Sequence, residues 1–166
     1  MHDLELLRDG FTRVADDLPQ LVAGRSAEQL LWQPAPQANH IAWLAWHIGR
    51  CEDAQVAALA GVPEVYSDGF CRRFNLPYPE TDIGYGQDAN QMRAFTLSDP
   101  GLLVCYYAAV HGQTLRILDS LDAGDLERIL DDPYQVSVGV RLVSVLNDVT
   151  QHLGQIAYLR GLLLNR

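Results

Sequence analysis

The sequence predicts an all-α protein, a four-helix bundle with a long crossover between its second and third long helices. Two observations favour this fold. Four stretches of similar length carry the 3.6-residue apolar period of amphipathic helices. The chain has 166 residues, of which 48% are hydrophobic and 20% are charged, and such a chain is long enough to bury one sizeable core. We therefore expect residues 1–166 to form a single domain.

The first two long helices are separated by a short connection. The first helix is expected over about 3–23, with six apolar residues on one side, and the second runs from about 39 to 60 with Asn39 as its N-cap. Between them, the stretch "SAEQLLWQP" has the spacing of a capping box at Ser26 and Gln29. One short turn of helix is therefore expected before the second long helix.

The crossover after the second helix is rich in Pro, Gly and Tyr. It begins with "GVPEVYSDGFCRRFNLPYPETDIGYGQ", and residues 88–96 are expected to add a short helix. Such a length is unusual for a loop in a compact domain, so we expect it to be ordered or to cover a site. The third long helix runs from about 99 to 121, where Pro100 suits the first turn because a missing N–H costs nothing there.

The fourth long helix, expected over about 138–164 after a capping Ser137, carries polar groups within an apolar stripe. In "NDVTQHLGQIAYL", Asp148 and His152 are one turn apart on nearly the same face, so both side chains can reach one point. A buried acid and imidazole often form a satisfied core pair. A metal site is the alternative, and this helix alone does not decide between them.

A second imidazole in an apolar stripe favours the metal site. In "NHIAWLAWHIGRCEDA", His47 shares a face with apolar residues of the second helix. Inward side chains of two bundle helices can converge on one point. His47, Asp148 and His152 would then supply two imidazoles and one carboxylate. Three protein ligands leave a position open for water or substrate, as catalytic metal sites do.

The chain resembles the DinB-like superfamily, which includes bacillithiol and mycothiol S-transferases. The resemblance rests on the order and spacing of "LLWQP", "NHIAWLAWHIGRCEDA", "RFNLP", "GYG" and "VGVRLVSVLNDVTQHLGQIAYLRGL", which span nearly the whole chain. The branch it resembles most is the actinobacterial group known as domain of unknown function 664.

The resemblance implies a four-helix bundle that holds a divalent metal through three side chains, one from the second long helix and two from the fourth. These positions are His47, Asp148 and His152. Typical members carry a His where this chain has Asp148. A carboxylate also ligates zinc, nickel or iron, so the site is expected to survive this change, with zinc as the first candidate.

Further residues are candidates for a substrate pocket or for support of the ligands. Each of these residues also has a structural interpretation. For His111 it is a surface position, for Arg141 a plain salt bridge, and for Cys51 a small buried residue of the core. Asp53 is expected to orient a ligand His by a hydrogen bond, or else to be a surface acid. The pocket candidates are His40, Cys51, Tyr85, His111 and Arg141.

The leading functional hypothesis is a metal-dependent S-transferase. The metal would activate a low-molecular-weight thiol, with mycothiol as the candidate co-substrate on the resemblance, for attack on a small electrophile. One alternative is a non-enzymatic bundle that binds a metal or small ligand. Another is a dimeric bundle with a vestigial metal site.

Charge and cysteine usage restrict the partners. The net charge is −9, and the positive charge is carried by 12 scattered arginines with no lysine, so nucleic acid is not an expected partner. Three cysteines without CxxC spacing fit a reducing compartment. With no signal peptide or membrane span expected, we predict a cytoplasmic location. A homodimer is expected. Trp46 is a candidate anchor because it lies off the His47 face; the alternative is that the first helix and the "LLWQP" turn cover it within one chain.

Overall fold

Residues 3–164 are described by the computed structural model, and within this range the long elements are all helical. One isolated antiparallel bridge joins Ile129 to Ser137. No helix in this range is long and apolar enough to cross a membrane. The α-helices are α1 (Asp3–Val22), α2 (Ala27–Leu30), α3 (Ile41–Ala60), α4 (Phe70–Phe74), α5 (Ala89–Arg93), α6 (Gly101–Ser120) and α7 (Val138–Leu164), and single 3-10 turns occur at Val65–Ser67 and Asp125–Glu127.

The long helices α1, α3, α6 and α7 form the predicted bundle. α3 packs against α6 and α7, and α1 packs against the same two helices, so α1 and α3 lie on opposite corners. Leu44 faces the Gly154 region of α7, and His47 meets His152. Since the sequence numbers run in opposite directions along this contact, α3 and α7 are antiparallel. The all-α bundle with its long crossover between α3 and α6 is confirmed.

The start of α3 differs from the prediction by one residue. His40, not Asn39, is the N-cap, and its Nδ1 accepts a hydrogen bond from the backbone N–H of Trp43 at 3.1 Å. Burial lowers the pKa of His40 to about 4, so the neutral ring keeps a lone pair available for this bond. His40, a pocket candidate, therefore caps the start of α3. The predicted capping box of Ser26 and Gln29 is present.

The crossover encloses the N-terminal part of α3. Every residue from Ile41 to Asp53 is buried, because the crossover covers the side that α6 and α7 leave open. Trp46 is 1% exposed, and its ring packs against Tyr66, Tyr78 and Phe95. The interpretation of Trp46 as a dimer anchor is therefore wrong: Trp46 lies off the face of His47 because a second layer of the same chain covers it.

Candidate metal centre

Three possible ligands converge between α3 and α7. One ligand atom from each of His47, Asp148 and His152 lies within 4.8 Å of the other two. His47 comes from the middle of α3, and the other two lie one turn apart on α7. The structure thus brings together the two imidazoles and the carboxylate that the sequence analysis singled out.

The two ligands on α7, Asp148 and His152, already interact with each other. His152 Nε2 lies 3.5 Å from Asp148 Oδ1, close to the separation of about 3.4 Å that two ligands have on a tetrahedral ion with 2.1 Å bonds. Hydrogen bonding to His152 lowers the pKa of Asp148, and the same interaction raises the pKa of His152. The other ring nitrogen of His152, Nδ1, lies 3.1 Å from Gln155 Oε1. Without a metal, the pair behaves as an ion pair.

His47 is held in one orientation and one tautomer. Its Nδ1 lies 2.5 Å from the carbonyl oxygen of Ile83. Since a carbonyl only accepts, Nδ1 carries the proton and Nε2 keeps its lone pair. Burial lowers the pKa of His47, which favours the neutral ring that a metal needs. The indole of Trp43 stacks on the imidazole, with ring centroids 4.6 Å apart and planes inclined by 16°.

The segment that supplies the Ile83 carbonyl is fixed by Arg50, whose side chain is fully buried. Arg50 Nη2 donates to the carbonyl of Glu80 at 3.1 Å, and its Nε donates to that of Asp82 at 3.2 Å. Its Nη1 donates to Glu64 Oε2 at 2.6 Å. Arg50 therefore holds the crossover against α3 just before the residue that orients His47.

A second anchor follows on the other side of Ile83. Trp43 Nε1 donates to Gln87 Oε1 at 2.8 Å, and Gln87 Nε2 donates to Asp82 Oδ2 at 2.8 Å. Trp43, His47 and Arg50 lie about one turn apart on α3, and they bind successive parts of residues 80–87. We call this segment the strap.

Gly84 allows the strap to approach the ligand. Its φ is +86°, and a Cβ atom there would lie 2.8 Å from His47 Nδ1, 2.9 Å from Trp43 and 3.0 Å from Trp46. These separations are shorter than van der Waals contact. Two independent features therefore require glycine at position 84: the positive φ of the backbone and the small space beside the imidazole.

The donor set fits a divalent metal. Asp148 Oδ2 is buried and accepts no N–H or O–H hydrogen bond in the described part of the chain, although the thiol of Cys51, a weak donor, also interacts with this carboxyl. Such an orphaned carboxylate oxygen is costly unless a cation satisfies it. Imidazole nitrogens and a carboxylate are ligands for zinc, nickel and iron. His47, Asp148 and His152 would hold the ion, which leaves a coordination position for a further molecule.

Two of the other predicted residues, Cys51 and Asp53, follow His47 on α3 and have different contacts. Cys51 Sγ is 3.5 Å from His47 Nε2 and 3.6 Å from Nδ1. These near-equal distances place the sulfur over the ring and out of line with the Nε2 lone pair. Burial raises the pKa of the Cys51 thiol. Asp53 accepts from the N–H groups of Val65 and Tyr66, both at 2.8 Å, so its carboxylate holds the crossover instead of orienting a ligand His.

The remaining pocket candidates divide between two places. His111 lies on α6 against α1, with its Nε2 3.5 Å from Thr12 Oγ1. Its contacts are therefore outside the cluster of ligands. Tyr85 and Arg141 line one cavity of about 450 Å³ together with Ile83. Arg141 also forms the salt bridge considered as its alternative, to Asp132 at 2.7 Å.

The residues that support His47 are not among those predicted from the sequence; they are Arg50, Gly84 and Gln87. A signal for Arg50 was present: it lies in a helix with apolar residues on every side, where a charge needs a partner. Gly84 lies in the "GYG" noted above. The backbone carbonyl of Ile83 carries no sequence signal at all.

Comparison with known proteins agrees with this fold. The DinB superfamily profile matches residues 11–156, so the chain belongs to the DinB superfamily, which includes metal-dependent enzymes. A crystal structure of a conserved protein from Enterococcus faecalis is similar, with a TM-score of 0.91 and 25% identity over 100% of this chain and 99% of that one. No curated protein matches the chain.

Proposed function

We propose that this protein is a metal-dependent S-transferase that joins a low-molecular-weight thiol to a small electrophile. The observation that carries the proposal is the convergence of His47, Asp148 and His152, together with the buried oxygen Oδ2 of Asp148. The chain resembles the actinobacterial group known as domain of unknown function 664, and this resemblance makes mycothiol the candidate thiol. A homodimer in the cytoplasm is the expected form.

Each ligand has a separate part in this proposal. His47 presents Nε2 in a fixed direction because the strap holds its Nδ1–H. Asp148 supplies negative charge. His152 would bind the metal through Nε2 after that nitrogen has lost its proton. A bound divalent ion would lower the pKa of a thiol that reaches its open position, so that the thiolate is available as the nucleophile near neutral pH. Cys51 and the Trp43 ring exclude water from the α3 side.

The metal is tested first. Protein purified without chelator should contain up to about one divalent metal per chain by elemental analysis. His152→Ala should abolish this content. His111→Ala is the matched control, because it removes a half-buried imidazole of α6 outside the site. Wild-type protein that stays metal-free after incubation with zinc, nickel and iron contradicts the proposal.

The reaction is tested second. Mycothiol-dependent loss of a haloarene electrophile should stop with EDTA and return with added metal. Turnover that is insensitive to EDTA would remove the metal from the mechanism. Metal that binds at one per chain without any measurable affinity for thiols favours the alternative, a non-enzymatic metal-binding bundle. A site that binds neither favours the vestigial form.

A further inference from the structure

The two imidazoles of the metal centre are oriented in the same way by different groups. The Nδ1 of His47 lies 2.5 Å from the carbonyl oxygen of Ile83, and the Nδ1 of His152 lies 3.1 Å from the amide oxygen Oε1 of Gln155. Both oxygens only accept hydrogen bonds, so each ring carries a proton on Nδ1. Nε2 is then the nitrogen that each ring can offer to a metal. At His152, unlike at His47, the oriented group is held by a side chain.

The Nε2 of His152 also has a partner that competes with a metal. Asp148 Oδ1 lies 3.5 Å from this nitrogen. A neutral imidazole carries one proton, on one of its two nitrogens. If the carboxylate of Asp148 were the only partner of the ring, it would favour the tautomer with the proton on Nε2, which blocks the nitrogen that a metal needs. An acceptor at Nδ1 favours the opposite tautomer, because the hydrogen bond of one nitrogen sets the state of the other.

Gln155 reaches His152 through the spacing of α7. The two residues are three positions apart, so their side chains share one face of the helix. Gln155 is exposed and lines a surface cavity of about 460 Å³ together with Gln151, Leu44 and Tyr158. An exposed amide contributes little to the packing of the core. Replacing Gln155 should therefore leave the fold intact and change the state of the His152 ring.

We infer that Gln155 is a positioning residue for His152: its amide oxygen holds the proton on Nδ1 and so leaves Nε2 free for the ion. The inference rests on the metal centre of the proposed function and adds a fourth residue to it. Loss of the partner behind a ligating histidine typically lowers metal affinity about 10–100-fold. Gln155→Leu removes the acceptor at similar size, whereas the carboxylate in Gln155→Glu can accept the same hydrogen bond.

The first measurement needs no metal. With EDTA present and at alkaline pH, ¹⁵N NMR of the histidine side chains shows which ring nitrogen of a neutral imidazole carries the proton. The signals of His152 are assigned by their loss in His152→Ala. The proton should lie on Nδ1 in wild type and in Gln155→Glu, and it should move to Nε2 in Gln155→Leu. A proton on Nε2 in wild type, or an unchanged tautomer in Gln155→Leu, overturns the inference.

The second measurement is the affinity for zinc, determined by competition with a chelating dye. Gln155→Leu should bind zinc about 10–100-fold more weakly than wild type, and Gln155→Glu should bind it at least as tightly as wild type. Gln151→Leu is the matched control, because Gln151 lines the same cavity one residue before His152. Neighbouring residues of a helix point about 100° apart, so Gln151 does not face the ring, and this variant should keep the affinity of wild type.

The outcomes separate positioning from a structural role. Urea unfolding with EDTA present should give the same midpoint for wild type and both leucine variants. If the midpoint of Gln155→Leu falls and Gln155→Glu does not restore zinc affinity, Gln155 supports the fold and the inference is wrong. Equal zinc affinity of Gln155→Leu and Gln151→Leu also overturns the inference, while the metal centre stands. Wild type that binds no zinc refutes the proposed function together with this inference.

Discussion

Gly84→Ala tests whether the strap sets the orientation of His47. The substitution has two effects that can be separated. A non-glycine residue at φ +86° costs about 1–2 kcal/mol. The new Cβ also meets His47, Trp43 and Trp46 at 2.8–3.0 Å, and such overpacking typically costs about 1–3 kcal/mol. The free energy of unfolding should fall by about 2–5 kcal/mol in total.

Gly86→Ala is the matched control. Gly86 has a φ of +76°, and a Cβ there meets no atom within 4 Å. It should therefore lose about 1–2 kcal/mol from the backbone alone. Urea unfolding with EDTA present measures both variants, and the difference between them isolates the contact with the three aromatic rings.

Metal affinity gives the second measurement. The added methyl group must displace the strap or the imidazole, so Ile83 can no longer hold the Nδ1–H of His47 in place. Loss of such support typically lowers metal affinity about 10–100-fold. Gly86→Ala should keep the affinity of wild type. If Gly84→Ala and Gly86→Ala match each other in stability and in metal affinity, the strap does not orient His47.

Three further predictions concern the core and the assembly. Arg50→Met removes the buried cation that lies 3.6 Å from the buried carboxylate of Asp53 and that binds the crossover carbonyls of Glu80 and Asp82, so it should lose about 3–5 kcal/mol. Chymotrypsin should then cleave the crossover sooner; an unchanged cleavage rate contradicts this role. Burial raises the pKa of Glu52 to about 7, so the folded state retains a proton that the unfolded chain releases at lower pH. The contribution of Glu52 to the unfolding free energy should therefore fall as pH rises from about 5 to 7. Because the lowered pKa of His40 contributes in the opposite direction, this fall is measured as the difference in unfolding free energy between wild type and Glu52→Gln; a difference that does not change with pH refutes it. Light scattering should give twice the chain mass of 18.5 kDa, and a monomeric mass refutes the dimer. Trp46→Ala should lower the free energy of unfolding by about 3–5 kcal/mol without dissociating the dimer.

The sequence predicted the bundle because its helices carry their own signals. The apolar period, Pro100 at the start of α6 and the capping box of Ser26 are local, and local signals survive in the final fold. The α7 ligands were found for the same reason, since Asp148 and His152 are one turn apart on one helix. His47 needed one further assumption, that inward residues of two helices meet.

The strap was beyond sequence reasoning because its contacts are distant in sequence and partly made by backbone. Arg50 binds carbonyls about 30 residues later, and any residue type supplies a carbonyl. Asp53 was assigned to a ligand His because it follows His47 closely, whereas its partners lie in the next 3-10 turn. For Trp46 both an interface and a cover from the same chain were open, because helical periodicity does not reveal that the crossover supplies the covering layer.

The unequal support of the ligands has a consequence for how an ion enters and leaves. His47 is 4% exposed and its direction is set before any ion arrives. Asp148 and His152 have side chains 39% and 19% exposed, and outside their own pair His152 is held by Gln155, from the same helix. We therefore expect metal exchange to proceed from the solvent side of α7, with the rotamers of Asp148 and His152 as the moving parts and α3 as the fixed one. The rate of exchange should then depend on α7 side chains, while the equilibrium affinity depends on the strap as well as on them.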